Sequence, residues 1–421
     1  MVRIGVHSEG FHTYPLQKLD NGYVVPDVSI SEIHEYNREM IKNQIEMGIS
    51  TEKYGYDYVL HPENHFKLIG KNSPAPLEVQ TSIASQTRHV RLVQMANILP
   101  WRDPLRLAER LGTLDTISDG RLEVGIGTGS GPREIGLFTD QSGMPLTDRE
   151  INWDVFVECF EILIRSWTEN YFDYHGEWFD IPSDGFEWEN EHERQYLETN
   201  VSGVDASEYV TDDGGTTTLE SISVFPQPVQ DPHPQIWKPI GSKRSAKWAA
   251  LFGINGCTVG IDFSAVRNLI DAYTETAEEA GWPDHRPEYD GDPFDSGWDQ
   301  KRDRGIMAQV PVFNTDRADD AAFERFKLGQ EFLLSIQQSP LSPEQGEESP
   351  IDGDEFIRQN DAPIVGDTEE IIDQLATFTE VCGYEELTLF LTPGAPGMKQ
   401  EDKLTQMQVF AEEVVPYFTD A

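Results

Sequence analysis

The feature that most limits the fold is a rhythm. Short apolar runs alternate with longer amphipathic stretches along nearly the whole chain. The expected strands are 2–7, 56–61, 90–99, 121–126, 235–240, 256–259, 305–313 and 386–391. The expected helices are 31–54, 76–87, 104–118, 150–169, 242–252, 263–280, 318–338, 368–381 and 403–418. Ser31 is a candidate N-cap and Gly55 a stop for the first of these; Pro104 opens the third, with Leu105, Leu107, Ala108, Leu111 and Leu114 along one side. A helix between successive strands implies a parallel sheet with helices outside it. Eight strand–helix units favour closure into a (β/α)8 barrel over an open sheet.

The rhythm breaks in three places. Residues 171–181 and 216–225 read as the two strands of a hairpin, and the acidic stretch 183–213 between them reads as a solvated insertion. Loop insertions are expected at 282–304 and 339–360. The whole of residues 1–421 is otherwise expected to form one domain.

Charge narrows the function classes. The 421 residues carry 75 Asp plus Glu against 32 Lys plus Arg, a formal net charge of −43. Such a polyanion repels nucleic acid and anionic membranes. Its self-repulsion is screened only at high ionic strength, where the Debye length shrinks to about 3 Å in molar salt, so the composition points to a halophilic protein. Three scattered cysteines, Cys159, Cys257 and Cys382, suit neither a disulfide framework nor a zinc site. With no signal-like start and no long apolar run, a cytoplasmic protein is expected.

Several motifs fail on spacing. The run from Gly125 to Gly131 lacks the dinucleotide-binding pattern, because Ser130 and Pro132 stand where glycines are required. His34-Glu35 is followed by Arg38, not a second histidine. No metal site is expected. What remains is a set of polar residues at the C-terminal ends of the expected strands, the face where barrels carry their chemistry. Strand two runs into Glu63-Asn64-His65-Phe66, strand three into Asn97, and strand four into Gly127-Thr128-Gly129. Strand five runs into Gly241-Ser242-Lys243-Arg244-Ser245 at the start of a helix. Glycines let backbone approach a ligand closely. A serine-rich helix N-terminus offers free N–H groups and hydroxyls to phosphate.

These stretches resemble the bacterial-luciferase-like flavin oxidoreductases. Leu99-Pro100, Pro104 with Arg106, Ala108 and Glu109, Leu114-Asp115, Ser118, Gly120-Arg121 and Gly125–Gly129 follow the family pattern. So do Gly55-Tyr56-Asp57, Glu63-Asn64-His65-Phe66, the turn from Gly241, and Val365-Gly366 with Glu369-Glu370. The resemblance implies a flavin across the barrel mouth. Asn97 should lie near its ring, Gly127, Thr128 and Gly129 along the ribityl and phosphate path, and Ser242, Ser245 and Arg244 at the phosphate. His65 and Asn64 should face the reacting side. Asn64 stands where the luciferase subfamily has histidine, and Thr128 where it has arginine.

The implied activity is a monooxygenase that uses reduced FMN and molecular oxygen on a small organic substrate. With no nicotinamide domain in the pattern, a separate flavin reductase is expected to supply the FMN. The alternatives are hydride transfer with the deazaflavin coenzyme F-420 and a non-catalytic flavin-binding barrel. The resemblance also implies a homodimer.

Overall fold

The computed structural model describes residues 2–419 except Ser130, 188–190, 204, 206, 208–209, 213–216, 260–261, 281–303, 338–351 and 384–386. Eight parallel strands form its centre: β1 (Arg3–His7), β2 (Tyr58–His61), β3 (Arg91–Gln94), β4 (Leu122–Gly127), β5 (Ile236–Pro239), β6 (Asn255–Val259), β7 (Ile306–Asn314) and β8 (Leu387–Thr392). Each pairs with the next; β8 pairs with β1, closing the cylinder, and the β4–β5 seam pairs Ile236 with Val124. This is the expected (β/α)8 barrel.

Period-two alternation divides the strand residues between two apolar layers. Tyr58, Leu60, Val93, Met95, Trp237, Cys257, Met307 and Phe390 fill the barrel interior. The intervening residues, such as Val59, Leu92, Val124 and Ile236, pack outward against the helices. Close strand approach requires Gly5, since a Cβ there would meet Phe390 and Tyr58 at 2.7 Å. At the N-terminal end the interior holds one buried carboxylate, Glu123. It accepts from the Tyr58 hydroxyl at 3.1 Å and the Trp237 indole at 2.7 Å, and pairs with Arg91 and Arg304.

The helices that position the site are α1 (Ile30–Lys53), α2 (Pro76–Ala84), α3 (Pro104–Ser118), α4 (Pro132–Ser142), α5 (Arg149–Thr168) and α6 (Lys243–Leu251). Two residues of the family pattern act as staples far from the mouth. Arg121, only 8% exposed, donates to the carbonyls of Ala84, Thr87, Val90 and Ser118 and to the Thr87 hydroxyl. Asp115, fully buried, accepts from the backbone of Val229 and Gln230 and the Gln230 side chain.

Five local expectations are corrected. The N-cap of α1 is Ser29, not Ser31, because Ser29 has Glu32 three residues on and forms the reciprocal capping box. The third strand does not run unbroken through 90–99; it ends at Gln94, a cis Met95–Ala96 peptide follows, and only Asn97–Ile98 rejoin the sheet. Residues 171–181 and 216–225 do meet antiparallel, but among the described residues only at Phe172 and Ile222, which exchange backbone bonds at 3.0 and 2.9 Å. Tyr174–His175 instead folds back against Asp180–Ile181, while Thr217–Leu219 pairs with Val210–Asp212. Within the acidic insertion Glu191–Asn200 is a helix, so this stretch is not all loop. The final helix starts at Gln400 and is interrupted by a π-turn at Phe410–Val414. Helix α4 was not anticipated. Its Pro132 start and left-handed Gly143 cap follow the glycine-rich run that reads as loop. The inserted loop 282–304 lies outside the described residues up to 303. So does 339–351, whereas Gly353–Gln359 is helical.

Candidate active site

The loops after the strands enclose a cavity of about 400 Å³ at the C-terminal mouth of the barrel. Its walls differ in character. One wall is apolar: Met95, Ala96, Ile98 and Trp101 after β3. Another part of the lining is charged: His7 and Glu9 after β1, and Glu63, Asn64, Lys67 and Lys71 after β2. Gly127, Thr128 and Gly129 form the edge after β4. Gly129 adopts φ +79°, and a Cβ there would stand 2.5 Å from the Trp101 ring, so only glycine lets this loop close on the indole.

A second cavity, of about 770 Å³, adjoins the first and shares Thr128, Gly129, Lys238 and Pro239 with it. Arg149, Glu150, Asn152 and Trp153 of α5 line one side. Gly241, Ser242, Arg244 and Ser245 line the other. Ser242 is the N-cap of α6, and its hydroxyl accepts from the Ser245 N–H at 3.2 Å. That bond satisfies the third helical N–H, while those of Lys243 and Arg244 precede the first intrahelical bond. Position 241 is open: a Cβ built there meets nothing within 4 Å. Arg244 reaches the cavity but is engaged with Glu150 at 2.8 and 3.0 Å and lies over the Trp153 ring.

The polar groups of the charged wall are ordered by burial. His7 is 4% exposed; burial pushes its pKa down to about 4, so the ring is neutral at pH 7. Its Nδ1 lies 3.2 Å from the Thr392 hydroxyl. Its Nε2 is buried without a hydrogen-bond partner, 3.6 Å from Glu9. Glu9 pairs with Lys71 at 2.7 Å. Glu63 is a hub. It meets His65 Nε2 at 2.6 Å and Arg102 at 2.8 Å, and it accepts the Ile98 N–H at 3.2 Å. Burial raises the Glu63 pKa, but the His65 bond and the Arg102 charge outweigh it and hold the carboxyl below the usual range.

Of the residues expected at the site, Asn64, Gly127, Thr128 and Gly129 line the first cavity. Thr128, Gly129, Ser242, Arg244 and Ser245 line the second. Two stand elsewhere. Asn97 is fully buried, and its amide donates to Gln94 and to the Gly125 carbonyl, so it braces the β3–β4 seam behind the wall. His65 turns toward Glu63 and packs among Phe66, Trp101 and Phe138 at the rim. His7 and Lys238 were missed, and Glu63, though read at the end of strand two, was given no role. His7 ends the first expected strand, so its position at the mouth was readable; Lys238 lies inside an expected strand and gave no such signal.

The two joined cavities suit a ligand with a broad ring and an anionic tail. Backbone without side chains at Gly127, Gly129 and Gly241 edges the path, and it ends at a serine-capped helix N-terminus. That combination fits a flavin phosphate. The barrel is of the (β/α)8 class, and its mouth has room for such a ligand.

Residues 22–195 match the family described as Luciferase-like monooxygenase. The oxygenase component of flavin-dependent trigonelline monooxygenase from Acinetobacter baylyi is 24% identical over 356 residues, 83% of this chain and 82% of that one. Two proteins of Sinorhizobium fredii match at 28% and 30% identity, but this chain covers only 54% and 40% of their lengths. Among solved structures, the oxygenating constituent of 3,6-diketocamphane monooxygenase from Pseudomonas putida, in complex with FMN, superposes with a TM-score of 0.64 at 20% identity, covering 96% of this chain and 98% of that one. An F420-dependent secondary alcohol dehydrogenase superposes at 0.57 with 16% identity, covering 98% of each. The chain is thus similar to the luciferase-like monooxygenases over residues 22–195, and to one flavin-dependent oxygenase component over most of its length.

Proposed function

We propose that this protein is the oxygenase of a two-component flavin monooxygenase. It would take reduced FMN from a separate reductase and oxidise a small, largely apolar aldehyde, ketone or heterocycle with molecular oxygen. One observation carries the reading: the ring-sized cavity at the barrel mouth continues into a second cavity ending at the Ser242 helix N-terminus.

Reduced FMN, when bound, supplies the two electrons that activate oxygen. The chain's own residues supply the rest. Ser242, Ser245 and the first N–H groups of α6 would bind the phosphate, with Arg244 able to share itself between Glu150 and the ligand. Gly127, Thr128 and Gly129 would admit the ribityl chain. The wall of Met95, Ala96, Ile98 and Trp101 would exclude water from the reacting face. Asn64 would orient the substrate. His7, neutral with a free Nε2, can accept or return a proton there. His65 would act through Glu63, holding the carboxylate that fixes the Ile98 backbone; Asn97 would hold the same wall from behind.

The composition and the family support a cytoplasmic, halophilic homodimer built from one domain over 1–421. A second reading, hydride transfer with the deazaflavin F-420, is favoured by uncharged Thr128 and by the shared barrel of the alcohol dehydrogenase; a non-catalytic flavin barrel is the remaining alternative. Anaerobic titration with reduced FMN and with reduced F-420, followed by fluorescence, separates them. Tighter binding of FMN is expected. Preference for F-420 would replace this reading with hydride transfer.

A further inference from the structure

Lys238 is anomalous. Among the described lysines it is the most buried, 2% exposed, at the end of β5 where both cavities meet. Buried charges are normally paired. No carboxylate of the described residues forms an ion pair with it, and burial pushes its pKa down to about 7 with no opposing charge. Its ammonium is caged by rings: Phe156 at 4.1 Å, Trp153 at 5.2 Å and Trp248 at 5.6 Å.

Among the described residues no carboxylate pairs with it: Glu9, Glu63 and Glu134 share the first cavity, but Glu9 is paired with Lys71 and Glu63 with Arg102. Helix α5 presents Arg149, Glu150 and Asp154 on this side, and Glu150 is taken by Arg244. Helix α6 presents Lys243, Arg244 and Lys247, all cations. Among the described residues the β4 edge presents Thr128 and Gly129. A desolvated cation beside a cavity whose far wall is a helix N-terminus is a half-built anion site.

We propose that Lys238 is an anion-binding residue that holds the phosphate monoester of the flavin from beneath, opposite Ser242 and Ser245. The inference rests on the flavin reading above and adds a residue and a consequence to it. Without phosphate the amine is largely neutral at pH 8. A dianion in the second cavity favours the ammonium form, so Lys238 takes up a proton from solvent as the phosphate enters. Riboflavin, which has the ring and lacks the phosphate, binds without that uptake.

The test is calorimetry at pH 8.0 with FMN and with riboflavin, in two buffers of different ionisation enthalpy. Oxidised flavins suffice. The amine, with its pKa near 7, should give uptake of about 0.9 proton per FMN and close to none per riboflavin. Lys238→Met, an apolar replacement that suits the ring cage, should abolish the uptake. It should also reduce the preference for FMN over riboflavin by roughly tenfold or more while leaving riboflavin affinity in place. Lys238→Arg, always charged, should keep the preference and lose the uptake. Unchanged uptake and preference in Lys238→Met would overturn the role of Lys238 and leave the flavin reading standing. Failure of the wild type to bind either flavin would overturn both.

Discussion

Arg121 belongs to the stretch that most resembles the family, yet it lies at the closed end of the barrel. Its guanidinium satisfies five acceptors: the carbonyls of Ala84, Thr87, Val90 and Ser118 and the Thr87 hydroxyl. These tie the end of α2, the start of β3 and the end of α3 together. Arg121→Met removes every bond and leaves buried acceptors that water reaches poorly. Each stripped acceptor costs on the order of 1–3 kcal/mol, less for those that relax or find solvent. The expected loss is about 3–5 kcal/mol, since the five share one donor and do not add. With an unfolding entropy near 2.1 cal/mol/K per residue, 421 residues give about 0.9 kcal/mol/K, so Tm should fall by roughly 3–6 °C. Arg121→Lys keeps the charge but loses the fork, and should recover less than half of this. Calorimetric melting and flavin titration on the same samples provide the check. A Tm within a degree of wild type, with flavin affinity reduced, would refute the structural role and make Arg121 a site residue.

Three further outcomes follow from the geometry. Gly129→Ala places a methyl against the Trp101 ring at φ +79°. It should weaken FMN binding at least tenfold while costing only about 1–2 kcal/mol of stability, read by titration and melting together. His7, His61 and His233 are buried and neutral, with pKa values pushed down by burial to about 4, 3 and 4. In the unfolded chain they bind protons near pH 6.5, so stability is fully present above that value and falls as pH drops toward 4. The slope from three such groups reaches about 4 kcal/mol per pH unit. Denaturant midpoints at pH 7.5 and 5 should show this, and His233→Phe should lessen the slope by about a third. Finally, a net charge of −43 should make the melting temperature rise steeply from 0.05 to 2 M KCl, and a flat profile would remove the halophilic reading.

The barrel was legible because its signal is redundant. Each strand carries an apolar run that is buried on both faces, and each unit has its helix punctuation, such as Pro104 before α3 and Asp119–Gly120 after it. Boundaries were less legible where two caps compete, as at Ser29 and Ser31. Pairing around the insertion was read only in part because short polar strands carry little register information: Phe172 meets Ile222 as expected, but Tyr174–His175 folds onto its own neighbour. At the mouth, residue type and strand end put Asn64, Gly127–Gly129 and the Ser242 turn on the cavity linings, since turn chemistry is local. They did not show side-chain direction. Asn97 and His65 have the right address and face away from the cavity, held by Gln94 and Glu63. Lys238 was invisible for the opposite reason. A lysine in a strand reads as solvent-facing until the rings of α5 and α6 close over it.

The most direct measurement of the central claim is a single turnover. The protein, loaded with reduced FMN without oxygen, is mixed with aerated buffer while flavin oxidation and hydrogen peroxide release are followed together. If the mouth excludes water as its apolar wall implies, peroxide release should lag that of free reduced FMN by at least about tenfold. Release at the rate of free flavin would contradict a monooxygenase site, as would a bound reduced flavin that oxygen does not oxidise.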